Sequence, residues 1–104
     1  MAAESTLRGK QEALTALCRQ YSVERLDLFG SATDDSFNPQ RSDLDFLVTF
    51  APCTPSEHYT RYFGLLESLE SLFGRAVDLV EAGAMRNPYF IRQVNKSRRL
   101  LYAS

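Results

Sequence analysis

The segment at residues 42–50, which reads SDLDFLVTF, constrains the fold of this chain more than any other feature. Acidic and apolar residues alternate along it, and successive side chains of a β-strand point to opposite faces. Asp43 and Asp45 therefore share one face of a predicted strand. The opposite face carries an apolar row, which consists of Leu44, Phe46, Val48 and Phe50. This row can pack onto helices, so we expect the two carboxylates to point the other way, toward an open cleft.

Apolar spacing, caps and turn residues predict the remaining elements. In chain order they are a helix over residues 4–21 with Ser5 or Thr6 at its start, a strand over 23–29, a loop over 31–42, the acidic strand over 44–50, a helix from Ser56 to Phe73 ended by Gly74, a strand over 76–81, a helix from Asn87-Pro88 to about Asn95, and a short extended tail over 99–102. A helix joins the acidic strand to the next one, so these two strands should run parallel. The pattern predicts an α/β (α+β) domain with a small mixed sheet of three core strands and about four helices.

A third acid, Asp78, lies in the strand predicted over residues 76–81. If that strand is the neighbour of the acidic strand, about 4.8 Å away, Asp78 is within reach of Asp43 and Asp45. Three negative charges so close repel each other, and two bound Mg²⁺ ions, or Mn²⁺ in their place, would offset that repulsion. Two metals in such a site can hold the attacking and leaving oxygens of an in-line displacement at phosphorus. In this arrangement Asp43 and Asp45 would bridge the metals. Asp78 holds the metal that activates an acceptor hydroxyl and can take its proton.

Gly30 and Ser31 follow the first predicted strand and stand beside the start of the acidic strand. A glycine lets backbone N–H groups approach phosphate oxygens, and a serine hydroxyl adds a donor. Arg41 could bring positive charge to the same triphosphate, or it could be a surface residue or pair with Asp34 or Asp35. Alone, Gly-Ser after a strand is usually a turn and Asp-x-Asp is usually a solvated face. Their combination favours a nucleotide site.

Composition narrows the class of protein. The 104 residues accommodate one domain, over residues 1–104, and the net charge of −1 gives no reason to expect an extended nucleic-acid surface. No apolar stretch approaches the roughly 20 residues needed to cross a bilayer, and residues 1–6 do not resemble a secretion signal, so we predict a cytoplasmic protein without a membrane partner. Cys18 and Cys53 form no CxxC pair and His58 is the sole histidine, which argues against a zinc site. The spacing of Cys18 predicts an inert core thiol.

Phe29-Gly30-Ser31, eleven intervening residues, Asp43-Leu44-Asp45-Phe46 and the later Asp78 together resemble the signature of the polymerase-beta-type nucleotidyltransferase superfamily. Within it, the chain is most similar to the minimal nucleotidyltransferases, catalytic domains often encoded beside HEPN-domain partners as toxin–antitoxin pairs. The resemblance implies the nucleotidyltransferase fold and transfer of AMP from ATP, with pyrophosphate leaving. In antitoxin members it implies adenylylation of a tyrosine of the HEPN toxin, which silences its RNase activity. It also implies that Gly30 and Ser31 bind triphosphate and that Asp43, Asp45 and Asp78 bind metal.

The residues after Ser31 depart from the family pattern. Many relatives resemble Gly-Ser-x-Ala-Arg-Gly, whereas this chain has Asp34 and Asp35 in place of the Arg and the second Gly. Two acids near a triphosphate weaken its binding, so two alternatives stand beside the enzymatic antitoxin. One is an antitoxin with a weak site that neutralises its partner by binding alone. The other is nucleotidyl transfer to a small molecule or an RNA end, with an acceptor site that a homodimer could build across its interface.

Three further features are open to a functional or a structural interpretation. Five basic residues without an acid follow residue 85: Arg86, Arg92, Lys96, Arg98 and Arg99. They are either a docking patch for an acidic partner or for phosphates, or the solvated face of the last helix. The stripe from Tyr59 to Phe73 predicts core, or a core that continues into a partner. Asp27 is predicted to lie on the polar face of its strand, and His58 to be solvated.

Overall fold

The computed structural model describes residues 7, 9–30 and 44–104. The elements in these ranges are α1 (Gln11–Gln20), β1 (Val23–Phe29), β2 (Leu44–Phe50), α2 (Pro55–Phe73), β3 (Val77–Glu81), a 3₁₀ turn (Ala82–Ala84), α3 (Pro88–Ser97) and β4 (Arg99–Ala103). The α/β (α+β) class is confirmed, with three α-helices in the described ranges where about four were expected. The predictions for Ser31, Asp34, Asp35, Arg41 and Asp43 concern residues outside these ranges.

The four described strands form one sheet in the order β3-β2-β1-β4. β2 and β3 run parallel, as the helical crossover between them predicted, and β1 is antiparallel to both β2 and β4. The tail that was expected to be a short extended piece is therefore a strand at one edge of the sheet. The acidic strand β2 lies inside the sheet, between β1 and β3.

One face of the sheet packs onto α1 and α2. The apolar row of β2 is buried there, with Leu44, Phe46 and Val48 at most 1% exposed. Cys18 of α1 belongs to the same cluster and is fully buried, as predicted. Every second residue of β2 thus anchors the strand in the core, so the residues between them, including Asp45, are directed to the other face.

The ends of the helices follow local capping rules. Thr54 caps α2 and forms a capping box with Glu57, while Pro55 takes the first helical position. The sequence had predicted Ser56 as the capping residue at the start of this helix, and the actual cap Thr54 lies two residues earlier, because proline is well tolerated at the first helical position. Gly74, with φ of +65°, ends α2, and the predicted cap Asn87 begins α3. None of the described helices combines the length and the apolar character needed to span a bilayer.

Leu7 is helical, but Gly9, with φ of +79°, and Lys10 interrupt the helix predicted over residues 4–21, and α1 starts at Gln11. The candidate caps Ser5 and Thr6 fall outside the described residues. The apolar stripe of α2 is also divided. Its later members Leu69 and Phe73 are buried, whereas the side chains nearer its start are more open, Tyr59 and Phe63 being 66% and 45% exposed. The prediction of a core stripe thus holds for the second half of α2 and not for these two aromatic rings.

The other face of the sheet packs onto α3. Phe29 of β1, Leu47 of β2 and Val94 of α3 form a second buried cluster, and the Phe90 ring meets Phe29 edge-on at 6.0 Å. This smaller core covers only part of the face. The same face carries Asp45 of β2 and Asp78 of β3.

Candidate active site

Asp45 and Asp78 are directly opposite each other across the parallel pair β2 and β3. Both alternate with buried residues and so lie on the face away from α1 and α2. Neighbouring strands are about 4.8 Å apart, which places the two carboxylates within reach of one bound cation. Asp45 is half-buried and Asp78 is exposed. The structure therefore brings together two of the three predicted acids, while Asp43 lies in the segment 31–43, outside the described residues.

Tyr62 of α2 packs against β3, the strand that carries Asp78. The Tyr62 hydroxyl donates a hydrogen bond to the Leu79 carbonyl of β3 at 2.5 Å. Burial raises the pKa of Tyr62, and the charges of Asp78 and Glu81 raise it further. Like charges at opposite positions of neighbouring strands repel each other, so a bound cation would relieve a repulsion that the fold creates.

The donor set suits a hard cation that arrives with a substrate. The described part of the chain contains no group of three or more His, Cys, Asp or Glu side chains that could hold a metal ion. Mg²⁺, however, is usually held by one or two carboxylates together with substrate phosphates rather than by a protein cage. Asp45 and Asp78 fit that mode of binding, with Asp43 as the predicted third carboxylate.

Gly30 directly follows β1 and lies against Asp45 of the acid pair, and the backbone at this residue is called the Gly30 turn below. Its φ of +75° is in the left-handed region that favours glycine. Phe29 pairs with Asp45 in the register of β1 and β2, and a Cβ added to Gly30 would lie only 2.6 Å from Asp45 Oδ2. Two independent features therefore require a glycine here, namely the turn and the close approach of the carboxylate.

The backbone N–H of Gly30 donates a hydrogen bond to Ser97 Oγ at 2.9 Å. The sequence had predicted that backbone N–H groups of this turn approach phosphate. In the structure the N–H of Gly30 is engaged with α3, so the contribution of Gly30 to such a site is the space left by its missing side chain. The predicted donor Ser31 lies outside the described residues.

Asp27 is a residue whose environment the sequence did not reveal. It was predicted on a polar strand face, and it does share the face of Phe29 and Asp45, but it is fully buried. The guanidinium groups of Arg25 and Arg98 both donate hydrogen bonds to its carboxylate. Arg98 is thus committed to an internal ion pair and is not part of a docking patch. A contact across 71 residues leaves no local sequence signal that could have identified it.

His58 is not part of the acid pair. It was predicted to be solvated, but its Nε2 contacts Glu81 Oε1 and its ring meets Phe50 edge-on at 5.9 Å. These residues line an open cleft of about 280 Å³ at the carboxyl ends of β2 and β3. Asp45 and Asp78 stand at the opposite ends of the same two strands, so this cleft is distinct from the candidate site.

The chain is similar to known sequences over most of its length. The sequence model of the nucleotidyltransferase domain matches residues 10–101. A protein of Methanocaldococcus jannaschii that is provisionally named a protein adenylyltransferase is 36% identical over 80 residues, which cover 77% of this chain and 78% of that protein. A second protein of that organism, with the same provisional name, is 32% identical over 78 residues, covering 74% and 75%. The chain therefore belongs to the nucleotidyltransferase domain family and is a nucleotidyltransferase.

Solved structures share the fold. A structure provisionally described as a minimal nucleotidyltransferase aligns with a TM-score of 0.69 at 32% identity, covering 95% of each chain. A chain from the complex of a tri-AMPylated HEPN toxin of Shewanella oneidensis with its MNT antitoxin aligns with a TM-score of 0.62 at 21% identity, over 91% of this chain and 71% of that one. A toxin–antitoxin complex with AMP-PNP gives 0.67 at 23% identity, over 90% and 73%. At these last two identities the likeness shows the fold alone.

Proposed function

We propose that this chain is an antitoxin that transfers AMP from ATP to a hydroxyl group, a tyrosine, of a HEPN-type partner toxin. The observation that carries the proposal is the opposition of Asp45 and Asp78 across β2 and β3, beside the Gly30 turn, in a member of the nucleotidyltransferase family. A protein as the acceptor of AMP is supported by the provisional names of the relatives and by the likeness to an antitoxin in complex with an AMPylated toxin.

In this proposal the acceptor oxygen attacks the α-phosphorus of ATP, the bond to the bridging oxygen of the β-phosphate breaks, and pyrophosphate leaves. Asp43, Asp45 and Asp78 would hold Mg²⁺, two ions or Mn²⁺ in their place, and the metal would offset the charge of the triphosphate. Asp45 lies against the Gly30 turn and so faces the phosphates. Asp78 is the more exposed acid, so it faces the acceptor and takes the hydroxyl proton. Ser31 and Arg41 are proposed donors to the triphosphate.

The exposed aromatic rings of α2 support a protein partner. Tyr59 and Phe63 are exposed on α2, with their ring centroids 4.7 Å apart, and Phe63 also contacts Tyr62 at 5.1 Å. This arrangement fits the interpretation that the apolar stripe of α2 continues into a partner.

The test is to incubate the chain with the product of the adjacent gene, ATP and Mg²⁺, and to measure the intact mass of that product. We expect its mass to increase by whole AMP units. Asp45→Asn and Asp78→Asn should each reduce the rate about 100-fold or more, because each removes a charged ligand that acts on the transition state. Glu67→Gln, which changes an exposed acid of α2, is the matched control and should transfer at the wild-type rate. No transfer by the wild type, or transfer that survives both Asn variants, contradicts the proposal.

The same reagents separate catalysis from masking, the alternative that Asp34 and Asp35 motivate. The variant with Asp43→Asn and Asp45→Asn should still bind the partner but should not protect a cell from it. Full protection by this variant would show that binding alone neutralises the toxin. AMP transfer to a small molecule or an RNA end, in a reaction without the partner and in a homodimer, would favour the remaining alternative.

A further inference from the structure

The end of α3 is joined to the candidate active site by one hydroxyl group. Ser97 is the last residue of α3, and its Oγ accepts the hydrogen bond from the Gly30 N–H. The same Oγ lies 3.3 Å from the Gln93 carbonyl and 3.4 Å from the Val94 carbonyl, so its own proton is directed into the last turn of the helix. This leaves an oxygen lone pair for Gly30. The orientation of the Ser97 hydroxyl is therefore set by α3 and not by Gly30.

The next residue anchors the helix end to the same strand. Arg98 follows Ser97, and its backbone N–H donates to the Val94 carbonyl at 2.8 Å. Its guanidinium is hydrogen-bonded to the carboxylate of the fully buried Asp27. Asp27 and Gly30 are close neighbours along β1 and its turn. Ser97 and Arg98, the last residue of α3 and the one after it, thus hold the chain of β1 at two points, one inside the strand at Asp27 and one just after it at Gly30.

A displacement of the Gly30 turn would directly change the environment of Asp45. The backbone of Gly30 approaches Asp45 so closely that a single added carbon would meet the carboxylate at 2.6 Å. A shift of the turn by a few tenths of an ångström would therefore change the space around Asp45 Oδ2. Sites held rigidly before the substrate arrives bind it more tightly, because less order has to be created on binding.

We propose that Ser97 is a positioning residue for nucleotidyl transfer. Its hydroxyl holds the Gly30 turn against Asp45 before ATP binds, and the ion pair of Arg98 with Asp27 fixes the end of α3 to β1. This inference rests on the proposed function for its effect on the reaction, but the hydrogen bond itself can be tested without any activity. A role limited to ending α3 would affect folding stability and leave the affinity for ATP unchanged. The two roles therefore predict different measurements.

The experiment compares Ser97→Ala, which removes the hydroxyl, with Ser97→Thr, which keeps it. Ser68→Ala is the matched control, since Ser68 is also a half-buried serine on a helix and its hydroxyl bonds to Tyr21 at 3.2 Å between α1 and α2. We expect Ser97→Ala to speed hydrogen exchange at the Gly30 amide and to raise the KM for ATP about three- to tenfold, the size of one lost hydrogen bond. Since Ser97→Ala leaves the Asp45 carboxylate and every other proposed metal ligand in place, kcat should stay within about twofold. Ser97→Thr should restore both values.

Each outcome decides one point. Unchanged exchange at Gly30 in Ser97→Ala, or an unchanged KM for ATP in an active enzyme, overturns the positioning role. An equal rise of the KM in Ser68→Ala does so too, because it would mean that general destabilisation causes the effect. If the wild type transfers no AMP at all, the proposed function fails, and the exchange measurement still shows whether Ser97 holds the turn.

Discussion

Among single residues, Gly30 is subject to the sharpest constraint. Gly30→Ala and Gly74→Ala form a matched pair, because both positions have positive φ, +75° and +65°, and share a strain of about 1–2 kcal/mol for a residue with a Cβ. Only the Cβ at position 30 would meet Asp45, since position 74 is open. We expect both variants to melt at a lower temperature, but only Gly30→Ala to lose AMP transfer. Thermal melting and the transfer assay check this, and equal activity of the two variants would contradict it.

Cys18 gives a prediction about pH at the same scale. Burial raises the pKa of its thiol from the ordinary value of 9.0 to about 12. The folded state therefore keeps this proton while the unfolded chain releases it, so the stability that Cys18 contributes is complete below pH 9 and declines as the pH rises from 9 toward 12. At pH 8 a thiol reagent should modify only Cys53, which is half-buried, and should modify both cysteines in denaturant. Cys53→Ser should leave no reactive thiol in the native protein, and rapid labelling of this variant would show that Cys18 is accessible.

Among the elements, α2 shows how local sequence sets a boundary. Thr54 accepts a hydrogen bond from the Glu57 N–H at 3.3 Å, and Glu57 accepts one from the Thr54 N–H at 3.2 Å. Thr54→Ala should cost about 1 kcal/mol of unfolding free energy, the usual value for a lost cap. Ser56→Ala is the control, because Ser56 stands inside the helix and should change stability little. Urea unfolding of the two variants checks the assignment, and an equal loss in both would place the cap elsewhere.

The cap also predicts how this loss depends on pH. The hydrogen bonds from Thr54 lower the pKa of Glu57. A lowered pKa in the folded state means that the contribution is present at neutral pH and is lost as the pH falls through that value. The difference in stability between wild type and Thr54→Ala should therefore shrink in acid. A difference that stays constant down to acidic pH would show that the Glu57 carboxylate is not involved.

Elements that depend on local signals could be predicted from sequence, and those that depend on distant partners could not. The period-two pattern predicted β2 and the face of Asp45, and the helical crossover predicted its parallel pairing with β3. The burial of Asp27 depends on Arg98, and the engagement of the Gly30 amide depends on Ser97, both about 70 residues away along the chain. The strand face of Asp45 and its register with Asp78 were thus predictable from periodicity and connectivity, whereas the contacts around them are properties of the packed structure.

For the whole molecule, the charges of Asp45 and Asp78 should affect the melting temperature in opposite directions without and with ligand. Asp45 and Asp78 repel each other across β2 and β3, and such opposed like charges destabilise a sheet by several tenths of a kcal/mol. Asp78→Asn should therefore raise the melting temperature of the protein in the absence of ligand, because it removes the repulsion without changing the shape of the side chain. Glu67→Gln, which removes a charge that faces solvent on α2, should not raise it.

Ligand binding should reverse this order. In the proposed site the carboxylates and the phosphates share the cation, so Mg²⁺ together with a non-hydrolysable ATP analogue should raise the melting temperature of the wild type more than either alone. Asp78→Asn should gain little from the same mixture, since it lacks one of the two carboxylates, whereas Glu67→Gln should gain as much as the wild type. The variant that is more stable without ligand thus becomes the less stable one with it. Equal ligand-induced shifts in wild type and Asp78→Asn would show that the cation is held elsewhere, and would remove Asp78 from the proposed metal site.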